Sequence, residues 1–405
     1  MKHIYIVDEH QSSKQNGVGT YIQQLLKCFE GSGHDVNLLS FNSDEKEFMV
    51  EGHSSYTEYH FPICGIGGFL RNGQLSLPVF RIYVDDSKDN VIFVNHSPCS
   101  MFLRTIKKLF PLSRLLFVIH DQGWCAPLLG DVELFKKIIT TKYIPKQNEQ
   151  KWQMIRRSYY EECRMYSIAN DIVSLAEETS ILLQRTYKVP DKKIHQIPNG
   201  LDIKEECTKR VDINGLRGEL GLSNEEKVML YAGRTVESKG IIPLLLSFES
   251  LYKLNHNIRL VIAGRVYQLN DFAKHTRLSS THITYLGFIK ESQMKKWYKV
   301  ADVCVLPSYT EQCSYFGIEM LAHGKSIVVV EGHNMDEMFN DNCALKVARV
   351  KNFEQQAELL FNMFSSVLKM TKETCLKYQK EARLQYKKKY TLKQMRYAYM
   401  QLIAK

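Results

Sequence analysis

Ala301-Asp302-Val303-Cys304-Val305-Leu306-Pro307-Ser308, followed by Glu311, Glu319 and the apolar run 327–330, is the stretch on which the fold turns. Residues 303–306 are apolar, and the run stops at a proline, which cannot continue a central strand. Glu311 falls in the loop beyond. Glu319 opens the helical run Met320-Leu321-Ala322, which Gly324 terminates. Residues 327–330 read as the next strand. Strand, loop, helix and strand in this order make the repeating unit of a parallel α/β sheet. Such a sheet binds ligands at the carboxyl ends of its strands, where this reading puts Glu311 and lets Glu319 face the same cleft.

The same unit recurs on either side. Residues 227–232 form a strand ending at Gly233-Arg234, and a helix carrying Ile241, Leu244, Leu245 and Phe248 follows. Strands at 259–263 and 283–286 complete this half. In the other half, strand 3–8 leads through Gln15-Asn16-Gly17-Val18-Gly19-Thr20 into a helix marked by Tyr21, Ile22, Leu25, Leu26 and Phe29. Gly31-Ser32-Gly33 ends it, and strands follow at 36–41, 91–94, 115–119, 171–175 and 193–197. The region 53–80 reads as irregular, 199–226 as a linker, and 372–405 as helical, without Pro or Gly. Two successive α/β halves are expected.

Composition limits the classes. The chain has 405 residues, 44% hydrophobic and 24% charged, in the range of a globular protein. Ten cysteines in that length are too dilute for a disulfide scaffold, and none are spaced Cys-x-x-Cys. The N-terminal apolar run is broken by Asp8 and Glu9, too early for a signal-peptide core. No stretch approaches the roughly 20 apolar residues of a membrane span. A cytoplasmic location is expected. The net charge of +10 suits phosphate-bearing ligands or an anionic membrane, and no nucleic-acid module is recognisable. Lysines and arginines concentrate in 136–157 and at 387–389, which allows peripheral contact with the inner face of a membrane.

Three groups of residues stand where chemistry is expected. Gly17-Val18-Gly19 follows a strand and opens a helix, whose first N–H groups can bind an anion. The fuller Gly-x-Gly-x-x-Gly pattern is missing, because Ile22 occupies its last position, so a tight turn explains the loop equally well. Arg234 and Lys239 flank a strand end, where a rigid guanidinium fork and a point charge suit a diphosphate. A surface ion pair with Glu237 is the structural alternative. Glu311 and Glu319 can hydrogen-bond sugar and ribose hydroxyls, or be two solvated glutamates.

Taken in order, these motifs resemble the "group 1" (glycosyltransferase family 4-like) retaining GT-B glycosyltransferases. The resemblance covers most of the chain. It rests on Asn16-Gly17-Val18-Gly19-Thr20-Tyr21, Val118-Ile119-His120-Asp121, Ile197-Pro198-Asn199-Gly200-Leu201-Asp202, Ala232-Gly233-Arg234 with Lys239-Gly240, Leu260 through Gly264, Tyr285-Leu286-Gly287-Phe288-Ile289, and Leu306-Pro307-Ser308 through Glu311 and Glu319. It implies an α/β fold of two Rossmann-like domains facing across a cleft. An acceptor domain would span 1–203, a nucleotide-sugar domain 204–384, and a helix in 385–405 would pack back on the first domain.

The resemblance also implies roles. Arg234 and Lys239 would neutralise the leaving diphosphate, Glu319 would hold the ribose, and Glu311 would face the sugar. Phe288 and Ile289 would meet the base, and His120 the reacting centre. Gly17, Val18 and Gly19 would approach the phosphates, with Ser314 and Tyr315 beside the donor. His96, Asp121 and Trp124 would face the acceptor, within or near the aromatic and lysine-rich stretch 122–160. The expected reaction is transfer of a hexose-type sugar to a glycan, lipid-linked or peptide acceptor, without a metal or resident cofactor. UDP-sugar is the first expectation for the donor and GDP-sugar the second. An inactive homologue that binds nucleotide sugar or scaffolds a partner is the alternative. One departure bears on the donor: Gln312-Cys313-Ser314 replaces the Gly-Phe-Gly usual after the first glutamate.

Overall fold

The strands form where apolar runs are bounded by polar turns. In the computed structural model, which describes residues 1–9, 16–63, 69–95, 99–142, 144–203, 212–265 and 282–405, they build two sheets in two compact units. The first unit comprises residues 1–200 and 392–405, the second 201–391.

The first unit carries β1 (His3–Asp8), β2 (Asp35–Ser43), β3 (Met49–Gly52), β4 (Thr57–Pro62), β5 (Asn90–Val94), β6 (Arg114–Ile119), β7 (Asp171–Ser174) and β8 (Ile194–Gln196). Their order is β3-β4-β2-β1-β5-β6-β7-β8, parallel throughout except for the β3–β4 pair. β5 and β6 are buried on both faces, which is why they read as continuous apolar runs rather than alternations. On one face, helices Gly17–Phe29 and Leu392–Ala404 pack together. There the Tyr21 and Tyr399 hydroxyls meet at 2.5 Å, and Arg114 Nη1 donates to Leu402 O at 2.8 Å.

The second unit carries β9 (Lys227–Ala232), β10 (Ile258–Ala263), β11 (Ile283–Gly287), β12 (Val303–Leu306), β13 (Ser326–Val330) and β14 (Leu345–Val347). All run parallel in the order β11-β10-β9-β12-β13-β14. Met229, Tyr231, Leu260 and Ile262 of the sheet share one core with the helix residues Leu244, Leu245 and Phe248.

Several elements differ from expectation. Region 53–80 holds β4 and most of helix Phe69–Tyr83, which follow β3. β3 is exposed along its length, and the helix contains Pro78 and Gly73, so neither shows a clean apolar period. Within the expected linker, Ile213–Glu219 is helical, and Leu216, Arg217 and Leu222 are buried. The Arg217 guanidinium donates to the carbonyls of Ser223, Glu226 and Val300. The C-terminal tail is two helices, Lys372–Lys389 and Leu392–Ala404. Only the second belongs to the first unit, so the division falls after Thr391 rather than after 384.

Candidate functional site

The strand order of the second unit reverses between β9 and β12. From β9 the chain builds outward through β10 and β11, then returns to place β12 on the other side. Loops at such a reversal diverge and leave a crevice at the carboxyl ends of the strands. The loop after β9 carries Arg234 and Lys239, and the loop after β12 carries Glu311. Lys239 Nζ lies 2.8 Å from Glu311 Oε1, with both side chains mostly buried, and it also reaches Thr310 O at 3.3 Å. The structure therefore pairs Lys239 across the crevice; among the described residues neither Lys239 nor Arg234 is paired with Glu237. Arg234 is exposed, and its carbonyl accepts the buried Tyr231 hydroxyl at 2.8 Å. The site thus offers one exposed cation beside one ion pair.

The backbone makes this approach feasible. Gly240 has φ +69°, and a Cβ there would lie 1.9 Å from Pro307 O, so only glycine fits. Tyr309 N–H donates to Ser238 O at 3.0 Å, joining the two loops. Asn334 Nδ2 holds Glu311 O at 2.8 Å. On the other side, Gly264 N–H donates to Gly287 O at 2.7 Å, linking the ends of β10 and β11. Phe288 follows directly and is 60% exposed, with Ile289 half-buried beside it. An exposed ring at a strand's carboxyl end is a surface on which a flat base can stack.

Glu319 lies in the middle of helix Tyr315–His323 and does not begin it. The helix starts earlier because Ser314 caps it: its Oγ accepts the Gly317 N–H at 3.3 Å. Ser314 and Tyr315, expected beside a donor, are thus the cap and first residue of the helix that carries Glu319. The Glu319 carboxyl accepts the Tyr298 hydroxyl at 2.5 Å. Burial pushes its pKa up to about 7 against the relief from that hydrogen bond, with Glu291 adding to the rise and Lys295 opposing it.

The first-unit residues are placed as follows. Gly17 opens helix Gly17–Phe29 and is exposed. The N–H groups of Val18 and Gly19, expected to face phosphate, are engaged by Asn16 Oδ1 at 2.8 and 3.4 Å. His120 follows β6 and is half-buried, its ring edge-on to Tyr21 with centroids 4.5 Å apart. Asp121 is exposed and accepts the Gln122 N–H at 2.8 Å. Trp124 does not face an acceptor: it is 1% exposed and stacks on Phe135 at 4.7 Å, as a core residue. The indole is too large to leave exposed without loss, and the core beneath the loop takes it. His96 lies outside the described residues.

Sequence reasoning missed Tyr298, Asn334 and Glu162. Tyr298 lies on the inward stripe of helix Glu291–Val300 with Met294 and Trp297. A buried tyrosine needs a partner for its hydroxyl, which was the available signal. Asn334 has φ +65°, a conformation Asn tolerates better than most residues. Glu162 gave no signal beyond a carboxylate on a helix. Among the described residues no group of three His, Cys, Asp or Glu is placed to hold a metal ion. No described helix is long and apolar enough to cross a membrane.

Two family models together match most of the chain. "Glycosyltransferase Family 4" covers residues 15–205, and "Glycosyl transferases group 1" covers 212–385. An uncharacterized glycosyltransferase of Methanocaldococcus jannaschii is 31% identical over 180 residues, which are 42% of this chain and 43% of that protein. The chain thus spans less than half the length of this relative. The alpha-monoglucosyldiacylglycerol synthase of Acholeplasma laidlawii is 24% identical over 391 residues, covering 88% of this chain and 89% of that one. Among solved structures, the sucrose-phosphate synthase of Thermosynechococcus elongatus superposes with a TM-score of 0.73 at 16% identity, over 99% of this chain and 98% of that one. At that identity the likeness speaks for the fold alone.

Proposed function

Because the chain belongs to the group 1, family 4-like glycosyltransferases and has their GT-B fold, we propose that it moves a hexose-type sugar from a nucleoside diphosphate to an acceptor, with retention at the anomeric carbon. The observation that carries this reading is the Lys239–Glu311 ion pair at the β9/β12 reversal, beside the exposed Arg234. A departing diphosphate needs fixed positive charge where its own charge develops. Arg234 supplies it by its fork, and Lys239 supplies it once the donor shares Glu311's hold on it. Glu311 would hydrogen-bond the sugar or stabilise the positive charge that forms at the anomeric carbon. Glu319 would take the ribose hydroxyls and Phe288 the base.

In a front-face substitution the acceptor oxygen bonds to the anomeric carbon as the bond to the diphosphate breaks. The leaving phosphate oxygen takes the acceptor's proton, so no separate general base is required. His120 would contact the donor sugar or reacting centre from the first unit. The donor order is UDP-sugar, then GDP-sugar, with no resident metal or cofactor. A lipid acceptor is favoured by the name of the Acholeplasma relative, which matches across most of its length. Basic stretches on this chain would complement an anionic membrane, whose surface attracts lysine and arginine.

The test is glucosyl transfer from UDP-glucose to diacylglycerol in mixed micelles, alongside nucleotide binding. Arg234→Ala and Lys239→Ala are each expected to lower kcat by roughly 10²–10³. Glu311→Gln should lose transfer while keeping UDP affinity. Unchanged transfer in both cation variants would sink the diphosphate assignment. Binding without transfer to any glycan, lipid or peptide acceptor would favour an inactive nucleotide-sugar binder.

A further inference from the structure

Phe316, Glu319 and His323 occur at i, i+3 and i+7 of helix Tyr315–His323, so they share one face. Tyr298, from helix Glu291–Val300, lies along that face. Its ring stacks on His323, with centroids 4.4 Å apart and planes 12° off parallel. It stacks also with Phe316, at 6.1 Å and 29°. The ring is 1% exposed. Packed against two rings of the same helix, the phenol donates its hydroxyl to Glu319 Oε2 at 2.5 Å.

Burial holds the phenol's pKa well above its usual range, so the hydroxyl is a proton donor and Glu319 the acceptor. Burial and the neighbouring lysines push His323 down to about 3, so the ring that stacks on Tyr298 is neutral and does not compete for the carboxylate. Above the pKa of about 7 to which burial raises it, Glu319 is an ionised carboxylate with about four acceptor sites, and the Tyr298 hydroxyl uses one of them. Oε1 and the second lone pair of Oε2 remain for two adjacent hydroxyls.

From this geometry we infer that Tyr298 is a positioning residue, which fixes the Glu319 carboxylate in the rotamer that receives a ribose diol. The inference rests on the proposed reading of Glu319 as the ribose holder. A glutamate within a helix has several rotamers of similar energy, and ordering it at the moment of binding reduces affinity. The Tyr298 hydroxyl removes that loss in advance and favours the ionised, accepting form.

The experiment is calorimetric titration of the full chain with UDP and GDP and with their 2′,3′-dideoxy forms. Wild type, Glu319→Ala and Tyr298→Phe are compared; the phenylalanine keeps the ring between Phe316 and His323 and deletes only the hydroxyl. Wild type is expected to prefer the ribonucleotide by at least about tenfold, the scale of one hydrogen bond to a charged group. Tyr298→Phe should lose most of that preference while its affinity for the dideoxy form stays unchanged. Glu319→Ala should lose it entirely. A full preference in Tyr298→Phe with none in Glu319→Ala overturns the inference and leaves the ribose reading standing. Equal weakening of both nucleotide forms by Tyr298→Phe also overturns it, because that marks a merely structural role. A preference that survives Glu319→Ala, or a wild type that binds neither nucleotide, overturns the reading on which the inference depends.

Discussion

Glu162 shows what burial does to a single residue. The residue is 7% exposed, and its carboxyl accepts the Gly123 N–H at 2.6 Å and the Tyr187 hydroxyl at 2.5 Å. It thereby ties down the loop that follows His120 and Asp121. Burial pushes its pKa up to about 7 from 4.5; the two hydrogen bonds oppose the rise and Asp121 adds to it. Tyr187 and Tyr166, whose own pKa values burial also raises, and Cys163 are the other titratable groups around it. The folded state therefore holds a proton that the unfolded chain releases above pH 4.5. Stability from this group is full below pH 4.5 and declines as pH rises towards 7. Glu162→Gln cannot ionise and keeps an acceptor for Gly123. In urea unfolding between pH 5 and 7, wild type should lose on the order of 2 kcal/mol that the variant does not lose. Parallel pH profiles would show that Glu162 is ionised in the folded protein at pH 5.

At the scale of an element, the turn Glu237–Lys239 and the helix Ile241–Leu254 hinge on Gly240. Its left-handed backbone and its close approach to Pro307 O bring the β9 and β12 loops together. Gly240→Ala must both strain φ and push the loops apart, moving Lys239 from Glu311. The expected cost is roughly 2–4 kcal/mol in thermal or urea unfolding, with weakened UDP binding. A change within about 0.5 kcal/mol would mean that the loops yield easily and that the ion pair does not depend on this contact. The adjacent helix Tyr315–His323 has a similar constraint, since a methyl on Gly317 would press on Met338 and Phe339.

At the scale of the whole molecule, the last helix is decisive for the first unit. Met395, Tyr399, Leu402 and Ile403 are almost fully buried. Tyr399 packs with Phe29 and Phe93 as well as Tyr21. Burying each such side chain contributes about 1.5–3 kcal/mol, so their joint loss approaches the whole stability of a domain. Truncation after Thr391 should abolish cooperative unfolding of the first unit, read by the near-ultraviolet circular dichroism of its tyrosines. The second unit, whose residues end at Thr391, should keep its own transition. An intact first-unit transition in the truncated chain would show that the helix is dispensable.

Much of this organisation is local and was legible in sequence. The strands at 227–232 and 303–306 match β9 and β12 in both bounds, because short apolar runs between turns have few other ways to bury themselves. Arg234, Lys239, Glu311 and Phe288 could be placed at strand ends from their position along the chain alone. Periodicity carries no information about which distant segments meet. It left open whether Lys239 pairs with Glu237, two positions before it, or with Glu311 in a different loop. It could not show that Tyr298 delivers its hydroxyl to Glu319, or that Trp124 turns into the core. The half-polar β3, the three-residue β14 and the helix broken by Gly73 and Pro78 have too weak a pattern to be read. Those outcomes were decided by tertiary packing, because a buried hydroxyl, carboxylate or indole takes the partner that the folded core brings to it, whatever its distance in sequence.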